Sequence, residues 1–272
     1  MNDAASGGSR FADLTPRILS ALFLAAVAAL AVWLGGAWFR ALVGLVVAAM
    51  AWELSRMLVP AVPRMAAIAG AALIGALPPL AAGLSPASGL ALMLLPATVL
   101  LLLPQLAGLR PGHGRPVAGY LALVCVAGLG LIALREEFGV LWLLWLVLVV
   151  IASDVAGYFA GRLIGGPKLW PRVSPKKTWS GTLAGWALAL GLGVAFMPLL
   201  GQGPGLLALT FAVCVAGQAG DIAESALKRH VGIKDSSQLI PGHGGAMDRF
   251  DAMLGAAVAF QLAALAGLVA QG

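Results

Sequence analysis

The sequence predicts an all-α, polytopic integral membrane protein with about nine transmembrane helices and a cytoplasmic N-terminus. The first observation is composition: the 272 residues are 61% hydrophobic and only 10% charged, against roughly 45–50% and about 25% in soluble domains. The second is that the apolar residues fall into runs of about 20, the length that crosses a bilayer as a helix. The third is that positive charge lies almost entirely on one side of those runs.

The apolar runs give the candidate spans in chain order. The first two are separated only by Gly35-Gly36, so they form a tight helical hairpin or are miscounted. A polar segment, residues 1–17, precedes them and is expected to be an N-terminal tail. The runs cover residues 18–34, 37–52, 66–84, 90–109, 117–134, 140–160, 181–200, 206–227 and 252–270.

Positive charge orients these runs. If the N-terminus is cytoplasmic, all of the 17 Lys and Arg residues except Arg40 and Arg135 lie on the cytoplasmic side. Because cytoplasmic loops are rich in Lys and Arg, this predicts an odd number of spans with the C-terminus outside. The net charge of +6 is explained by basic loops beside an anionic leaflet. The lipid bilayer is therefore the expected partner, and no nucleic acid is needed.

The charged residues concentrate in residues 220–251. Asp221, Glu224 and Lys228 are spaced to share one helical face. Two carboxylates one turn apart at a membrane boundary are costly unless they are paired or bound to a cation. The spacing therefore leaves two interpretations open, a functional acidic site or a ladder of ion pairs that satisfies itself.

A glycine-rich segment follows, Pro241-Gly242-His243-Gly244-Gly245, and then Asp248, Arg249 and Asp251. Glycines allow the backbone to approach a ligand closely. Paired carboxylates suit Mg²⁺, which binds one or two carboxylates together with substrate phosphates. The alternative is a turn followed by acids at a helix N-terminus, where they are favoured.

Asp154 lies inside an apolar run, within Asp154-Val-Ala-Gly-Tyr158-Phe-Ala-Gly161-Arg162. An acid at membrane depth indicates a functional site by default. Gly157 and Gly161 have the spacing that permits close helix packing. A packing helix with one hydrogen-bonded buried carboxylate is the alternative.

The loop before the seventh run reads Ser174-Pro175-Lys176-Lys177-Thr178-Trp179-Ser180-Gly181. Adjacent lysines with hydroxyl donors at a helix start suit a phosphate. A membrane-surface anchor with an N-cap explains the same residues.

These four elements together resemble the phosphatidate cytidylyltransferases (CDP-diacylglycerol synthases). The resemblance covers residues 154–251 by motif and the rest by hydropathy and length. Ala246, Gly157 and Ser180 depart from the usual family pattern. The matching runs are Ser225-Ala-Leu-Lys228-Arg229, Lys234-Asp235, the glycine-rich segment and Asp248-Arg249-Phe-Asp251, preceded by GDIAES, SPKKT and DxxxYxxGR.

The resemblance implies a Mg²⁺-dependent nucleotidyltransferase of phospholipid biosynthesis, in a bacterial cytoplasmic (inner) membrane, with its active site toward the cytoplasm. It would join CTP and phosphatidate into CDP-diacylglycerol and release pyrophosphate. Residues 18–272 would form a single transmembrane catalytic domain. A second cation and a homodimer stay open, since no residue pattern demonstrates either.

The resemblance also implies roles for single residues. The expected catalytic residues are Asp221, Asp248, Lys228, Arg229 and Lys234. The expected metal ligands are Asp221 and Asp248, with Glu224 and Asp251 as further ligands. The expected substrate-binding residues are Asp154, Ser174, Lys176, Lys177, Thr178, His243, Gly244, Gly245 and Arg249.

Two other functions compete. A secondary transporter would explain many spans and Asp154, but transporters often show repeated halves, and none is visible in this sequence. A CTP-using lipid kinase would transfer the γ-phosphate to a lipid alcohol. A CDP-alcohol phosphotransferase is disfavoured because the sequence has no DGxxAR-type run.

Overall fold

The computed structural model describes residues 14–59, 61–102, 113–240, 242 and 244–269. These residues form α-helices joined by short connections, one π-helical turn (Leu134–Phe138) and one two-stranded hairpin. The α-helices are α1 Leu14–Leu34, α2 Gly36–Leu58, α3 Arg64–Ala81, α4 Pro86–Leu102, α5 Gly114–Ala133, α6 Val140–Leu163, α7 Trp179–Leu199, α8 Gly205–His230 and α9 Met247–Leu265. The strands are β1 Lys168–Trp170 and β2 Ser174–Thr178.

Six helical segments in the described part of the chain are long and apolar enough to cross a membrane. Two shorter apolar helices, Ile18–Leu34 and Pro86–Leu102, accompany them. The all-α class is confirmed, whereas the count of nine spans and the cytoplasmic N-terminus stay predictions. The six segments are Gly36–Leu58, Arg64–Ala81, Gly114–Phe138, Val140–Leu163, Trp179–Leu199 and Gly205–His230.

The boundary between α1 and α2 is set by two glycines. Gly35 and Gly36 have φ angles of 64° and 47°, a left-handed region that residues with a Cβ rarely adopt. Arg135 Nε donates to Val32 O at 2.8 Å near the end of α1. The first two apolar runs therefore form two separate helices, as the helical-hairpin interpretation of the sequence expected.

An aromatic cluster ties α6 to α9 in the core. The ring of Phe260, which is fully buried, lies 5.1 Å from Phe138, 5.6 Å from Trp142 and 6.2 Å from Trp145 between centroids. Rings at such separations attract each other beyond the apolar area they bury. The two helices that carry much of the polar chemistry thus share one rigid packing unit.

Close helix contacts position the polar residues. A Cβ on Gly220 of α8 would overlap Asp251 O of α9, and one on Gly181 of α7 would overlap Gly157 O of α6. These contacts require glycine, since any side chain would push the helices apart. The spacing of Gly157 and Gly161 correctly predicted close packing of α6.

The segment between α6 and α7 is a hairpin rather than the loop that the sequence suggested. β1 and β2 pair antiparallel, with Lys168 opposite Thr178 and Trp170 opposite Ser174. Trp179 N donates to Pro167 O at 3.0 Å where the hairpin meets α7. The pairing holds the two lysines of β2 in a fixed register beside α6.

Candidate active site

A cavity of about 580 Å³ lies between α6, α7, α8 and the hairpin. It brings together three of the four elements that the sequence singled out: the Asp154 helix, the lysine-rich loop and the start of the charged segment. Asp154 is exposed to this cavity although it lies within an apolar helix. Among its lining residues are Asp154, Tyr158, Arg162, Lys176, Lys177, Thr178 and Asp221.

An ion pair crosses this cavity. Lys177 Nζ lies 2.5 Å from Asp221 Oδ2, and both side chains are about one quarter exposed (26% and 25%). Asp251 interacts electrostatically with Asp221, Asp154 and Lys177, so three carboxylates share the neighbourhood of one ammonium group. Two further basic residues line the same cavity, so bases match the acids in number, and the carboxylate oxygens are hard donors of the kind that suit a divalent cation.

Polar side chains form the floor of the cavity. Trp186 Nε1 donates to Gln218 Oε1 at 2.9 Å, and Gln218 Nε2 donates to Ser153 Oγ at 3.1 Å. This chain of hydrogen bonds links α7, α8 and α6, and two of its members, Gln218 and Ser153, line the cavity. The sequence analysis missed it, because single polar residues in apolar helices carry no spacing signal.

A second charged cluster is centred on Lys228. Its Nζ lies 2.6 Å from Glu224 Oε2 and 2.6 Å from Asp248 Oδ1. Glu224 is only 1% exposed, and its second oxygen, Oε1, is buried without a hydrogen-bond partner among the described residues. The ladder interpretation is confirmed for Glu224 and Lys228, whereas Asp221 pairs with Lys177 instead; the functional interpretation stays a prediction.

Both carboxylate oxygens of Asp248 contact neighbouring donor groups. Oδ2 accepts hydrogen bonds from Ser236 N at 3.1 Å, Ser236 Oγ at 2.9 Å and Gly245 N at 3.0 Å. Burial raises the pKa of Asp248, but hydrogen bonds from Lys228, the Gly245 amide and Ser236 outweigh it and lower the pKa to about 2. Asp248 is therefore a fixed anion at neutral pH.

Glu53 completes this cluster from the other end of the sequence. It is fully buried (0% exposed) and accepts hydrogen bonds from Ser237 Oγ at 2.5 Å, Ala246 N at 2.8 Å, Met247 N at 2.8 Å and Ser236 Oγ at 3.2 Å. The sequence analysis missed Glu53. The available signal was its isolation, because Glu53 is the only acid between residues 14 and 135, and acids in such helices are rare.

The remaining predicted residues have more peripheral positions. Thr178 Oγ1 accepts from Gly181 N at 3.2 Å and so caps α7 while also lining the cavity. Ser174 starts β2, and Arg229 Nη1 donates to Ile233 O at 2.9 Å. Lys234 and Arg249 are exposed.

Three residues of the glycine-rich segment are described, namely Gly242, Gly244 and Gly245. Gly244 has a φ of 82°, and its carbonyl accepts from Ile240 N at 2.8 Å. A Cβ on Gly245 would overlap Ser236 Oγ and Glu53 Oε1, which explains why glycine stands there. His243 lies outside the described residues.

The donor chemistry of these clusters fits a divalent cation that is shared with a ligand. In the described part of the chain, no three His, Cys, Asp or Glu side chains converge enough to hold a metal ion by themselves. The available donors are carboxylate oxygens, including the unsatisfied Glu224 Oε1. Mg²⁺ accepts such an incomplete set when phosphates supply the other ligands.

Comparisons with known proteins identify the family of this chain. Residues 15–266 match the family model described as "Cytidylyltransferase family". The phosphatidate cytidylyltransferase of Brucella suis biovar 1 (strain 1330) is 44% identical over 156 residues, which cover 56% of this chain and 58% of that protein.

Two further relatives carry the same name. The Bacillus subtilis (strain 168) protein is 42% identical over 123 residues, or 44% of this chain and 45% of that protein. The Helicobacter pylori (strain ATCC 700392 / 26695) protein is 44% identical over 132 residues, or 47% and 49%. The alignments thus span about half the length of these relatives. Since the family model spans nearly the whole chain, this protein belongs to the cytidylyltransferase family.

Proposed function

We propose that this protein transfers the cytidylyl group of CTP to phosphatidate, giving CDP-diacylglycerol and pyrophosphate for phospholipid biosynthesis. The observation that carries the proposal is the cavity in which Lys177 and Asp221, from two separate motifs, face each other. Membership of the cytidylyltransferase family supports the nucleotide chemistry. The name shared by the three relatives supports the lipid acceptor.

The chemistry suits a site made of charges rather than of a strong base. A phosphate monoester has a second pKa of about 6, so phosphatidate is mostly dianionic near neutral pH. One of its oxygens forms a bond to the α-phosphorus of CTP, and the bond from that phosphorus to the bridging oxygen of the β-phosphate breaks. Pyrophosphate leaves with the electron pair. Because an anion must approach a polyanion, catalysis depends on positioning and charge neutralisation.

The cationic side chains supply that neutralisation. Lys176 and Lys177 contact phosphate from the hairpin side of the cavity, which both residues line. Ser174 and Thr178 are the further phosphate-binding residues proposed on this strand. A second group of bases is proposed to neutralise the triphosphate, the leaving pyrophosphate or the lipid phosphate. These bases are Lys228, Arg229, Lys234 and Arg249, and the proposed substrate-binding residues near them in sequence are His243, Gly244 and Gly245.

The carboxylates would hold Mg²⁺. Asp221 and Asp248 are the proposed ligands, with Glu224 and Asp251 as further ligands and Asp154 close enough to Asp221 to assist. Bound there, the ion would supply positive charge to the CTP phosphates. A second cation is compatible with this proposal and is not required by it. The support is chemical, namely hard oxygen donors with one buried oxygen unsatisfied.

The membrane arrangement is part of the proposal. Nine spans with a cytoplasmic N-terminus, in a bacterial inner membrane, would put the cavity on the side where CTP is made. The asymmetry of Lys and Arg supports this orientation. A homodimer is compatible with the arrangement and is not required by it.

The decisive test is pyrophosphate release by the purified protein in detergent with CTP, Mg²⁺ and phosphatidate, omitting each in turn. We expect release only when all three are present, together with a CDP-lipid product. Formation of CDP with a lipid alcohol would instead indicate a kinase. If the folded protein formed neither product, the proposal would be contradicted, and transport would become the function to test next.

A further inference from the structure

The structure indicates a role for Glu53 that no sequence motif suggests. Its oxygens accept hydrogen bonds from Ser237 Oγ, Ala246 N and Met247 N, and Oε2 also lies 3.2 Å from Ser236 Oγ, whose single proton is shared with Asp248. All four donors belong to the segment from Ser236 to Met247. That segment leads directly into Asp248, whereas Glu53 lies near the end of α2.

We propose that Glu53 is a positioning residue that sets the orientation of Asp248 and, through it, of Lys228; this inference rests on the proposed function. Glu53 accepts from Ala246 N and Met247 N, the two amides just before Asp248. Amides at the start of a helix have no acceptor within the helix, so these two donate to Glu53 instead. A carboxylate is also favourable at the start of α9 because of the helix dipole. Glu53 therefore fixes where α9 begins relative to α2.

Ser236 connects the two carboxylates. Its Oγ lies 3.2 Å from Glu53 Oε2 and 2.9 Å from Asp248 Oδ2, and its backbone N–H also donates to Asp248 Oδ2. With Oδ2 held in this way, Asp248 Oδ1 faces Lys228 Nζ at 2.6 Å. Moving Glu53 would thus shift a charge pair that it does not itself touch.

Packing leaves this arrangement little freedom. Glu53 and Ser236 are buried at 0% and 8% exposure, and Gly245 lies so close to both that a Cβ would overlap them. A buried carboxylate that loses its donors is strongly destabilised. The hydrogen bonds of Glu53 and the position of the segment are therefore maintained together.

The kinetic test compares Glu53→Gln and Glu53→Asp with the matched control Glu136→Gln. The amide of Gln places a donor against one backbone N–H, whereas Asp keeps both acceptors on a shorter stem. Glu136 pairs with Arg40 at 2.6 Å, in a contact that involves none of the site residues. We expect the KM for CTP to rise about tenfold or more in Glu53→Gln, less in Glu53→Asp and not at all in Glu136→Gln. The KM for phosphatidate reports separately whether Lys228 also contacts the lipid phosphate, and a rise there supports the positioning role as well.

A second readout is independent of activity. Hydrogen exchange of the full-length protein in detergent should show faster exchange in peptides covering residues 236–248 of Glu53→Gln, with α5 and α6 unchanged. The control Glu136→Gln should match the wild type in these peptides. This measurement decides whether Glu53 restrains the segment even if the wild type releases no pyrophosphate, a result that would overturn the proposed function alone.

Two results would overturn the positioning role. One is unchanged exchange in residues 236–248 of a folded Glu53→Gln protein. The other is a fall in kcat that merely follows the folded fraction, with both KM values unchanged, because a purely structural residue alters the amount of active protein and not its affinity for CTP.

Discussion

Lys177 and Asp221 form a 2.5 Å ion pair that joins β2 to α8 across the cavity. Each side chain is about one quarter exposed, so the pair is neither fully buried nor on the open surface. An arriving phosphate would compete with Asp221 for the ammonium group, and an arriving cation would compete with Lys177 for the carboxylate. The two side chains are thus already positioned to bind a phosphate at Lys177 and a cation at Asp221 at the same time.

Replacing either member of this pair should impair catalysis without unfolding the protein. We expect Asp221→Asn and Lys177→Met each to lower kcat by about 100-fold, the usual cost of losing one preorganised charge contact. Pyrophosphate release at saturating CTP measures this effect. Glu136→Gln is the control that also loses an ion pair. Full turnover in both folded Asp221→Asn and folded Asp248→Asn would refute the proposed metal ligands.

Removing Lys228 should affect stability as well as activity. Lys228→Met leaves the buried Glu224 and the nearby Asp248 without their shared cation, which should cost about 3–5 kcal/mol. The double variant Glu224→Gln/Lys228→Met should recover part of this loss, because it removes a buried unpaired charge. Thermal unfolding in detergent measures both, with exposed Lys168→Met as the control. Equal unfolding midpoints for Lys228→Met and wild type would show that the pairing contributes little.

A methyl group at Gly245 should be poorly tolerated. Gly245→Ala places a Cβ against Ser236 and Glu53, and such overpacking costs about 1–3 kcal/mol. The matched control is Gly119→Ala in α5, where a Cβ would meet nothing within 4 Å and a helix interior favours Ala over Gly. Unfolding midpoints should therefore move in opposite directions. A shift of the same sign in both would contradict the packing argument.

Thr178 allows capping to be separated from phosphate binding. Asn and Asp both cap helices well, so Thr178→Asn and Thr178→Asp should both keep α7 capped, with Asp lowering stability more because residue 178 is buried at 4% exposure. Because residue 178 also lines the cavity, the added negative charge of Asp should repel phosphate and raise the KM for CTP about tenfold over that of Asn. Equal KM values would mean that the residue at 178 serves only as a cap.

The helices were predictable because an apolar run of about 20 residues is typical of a membrane-spanning α-helix. The predicted run 140–160 corresponds to Val140–Leu163, and the run 206–227 to Gly205–His230. The last run was expected from residue 252, but α9 begins at Met247. Hydropathy does not register a helical turn that contains Asp248, Arg249 and Asp251, since those residues are charged.

Local spacing also predicted part of the site. The pairing of Glu224 with Lys228 follows from one helical turn. The partners Lys177–Asp221 and Glu53–Met247 could not be predicted in this way, because they join residues far apart in sequence and depend on how the helices pack. Ser180 was noted as a departure from the family pattern, and its Oγ donates to Gly165 O at 2.5 Å, a contact that only the folded hairpin creates.

The buried position of Glu53 has a consequence for how the protein is made. Synthesis runs from the N-terminus, so α2 leaves the ribosome well before residues 236–247, which hold the hydrogen-bond donors of this carboxylate. For most of translation the nascent chain therefore carries an acid whose final partners do not yet exist. The N-terminal helices can complete their assembly only after the last helix has been delivered.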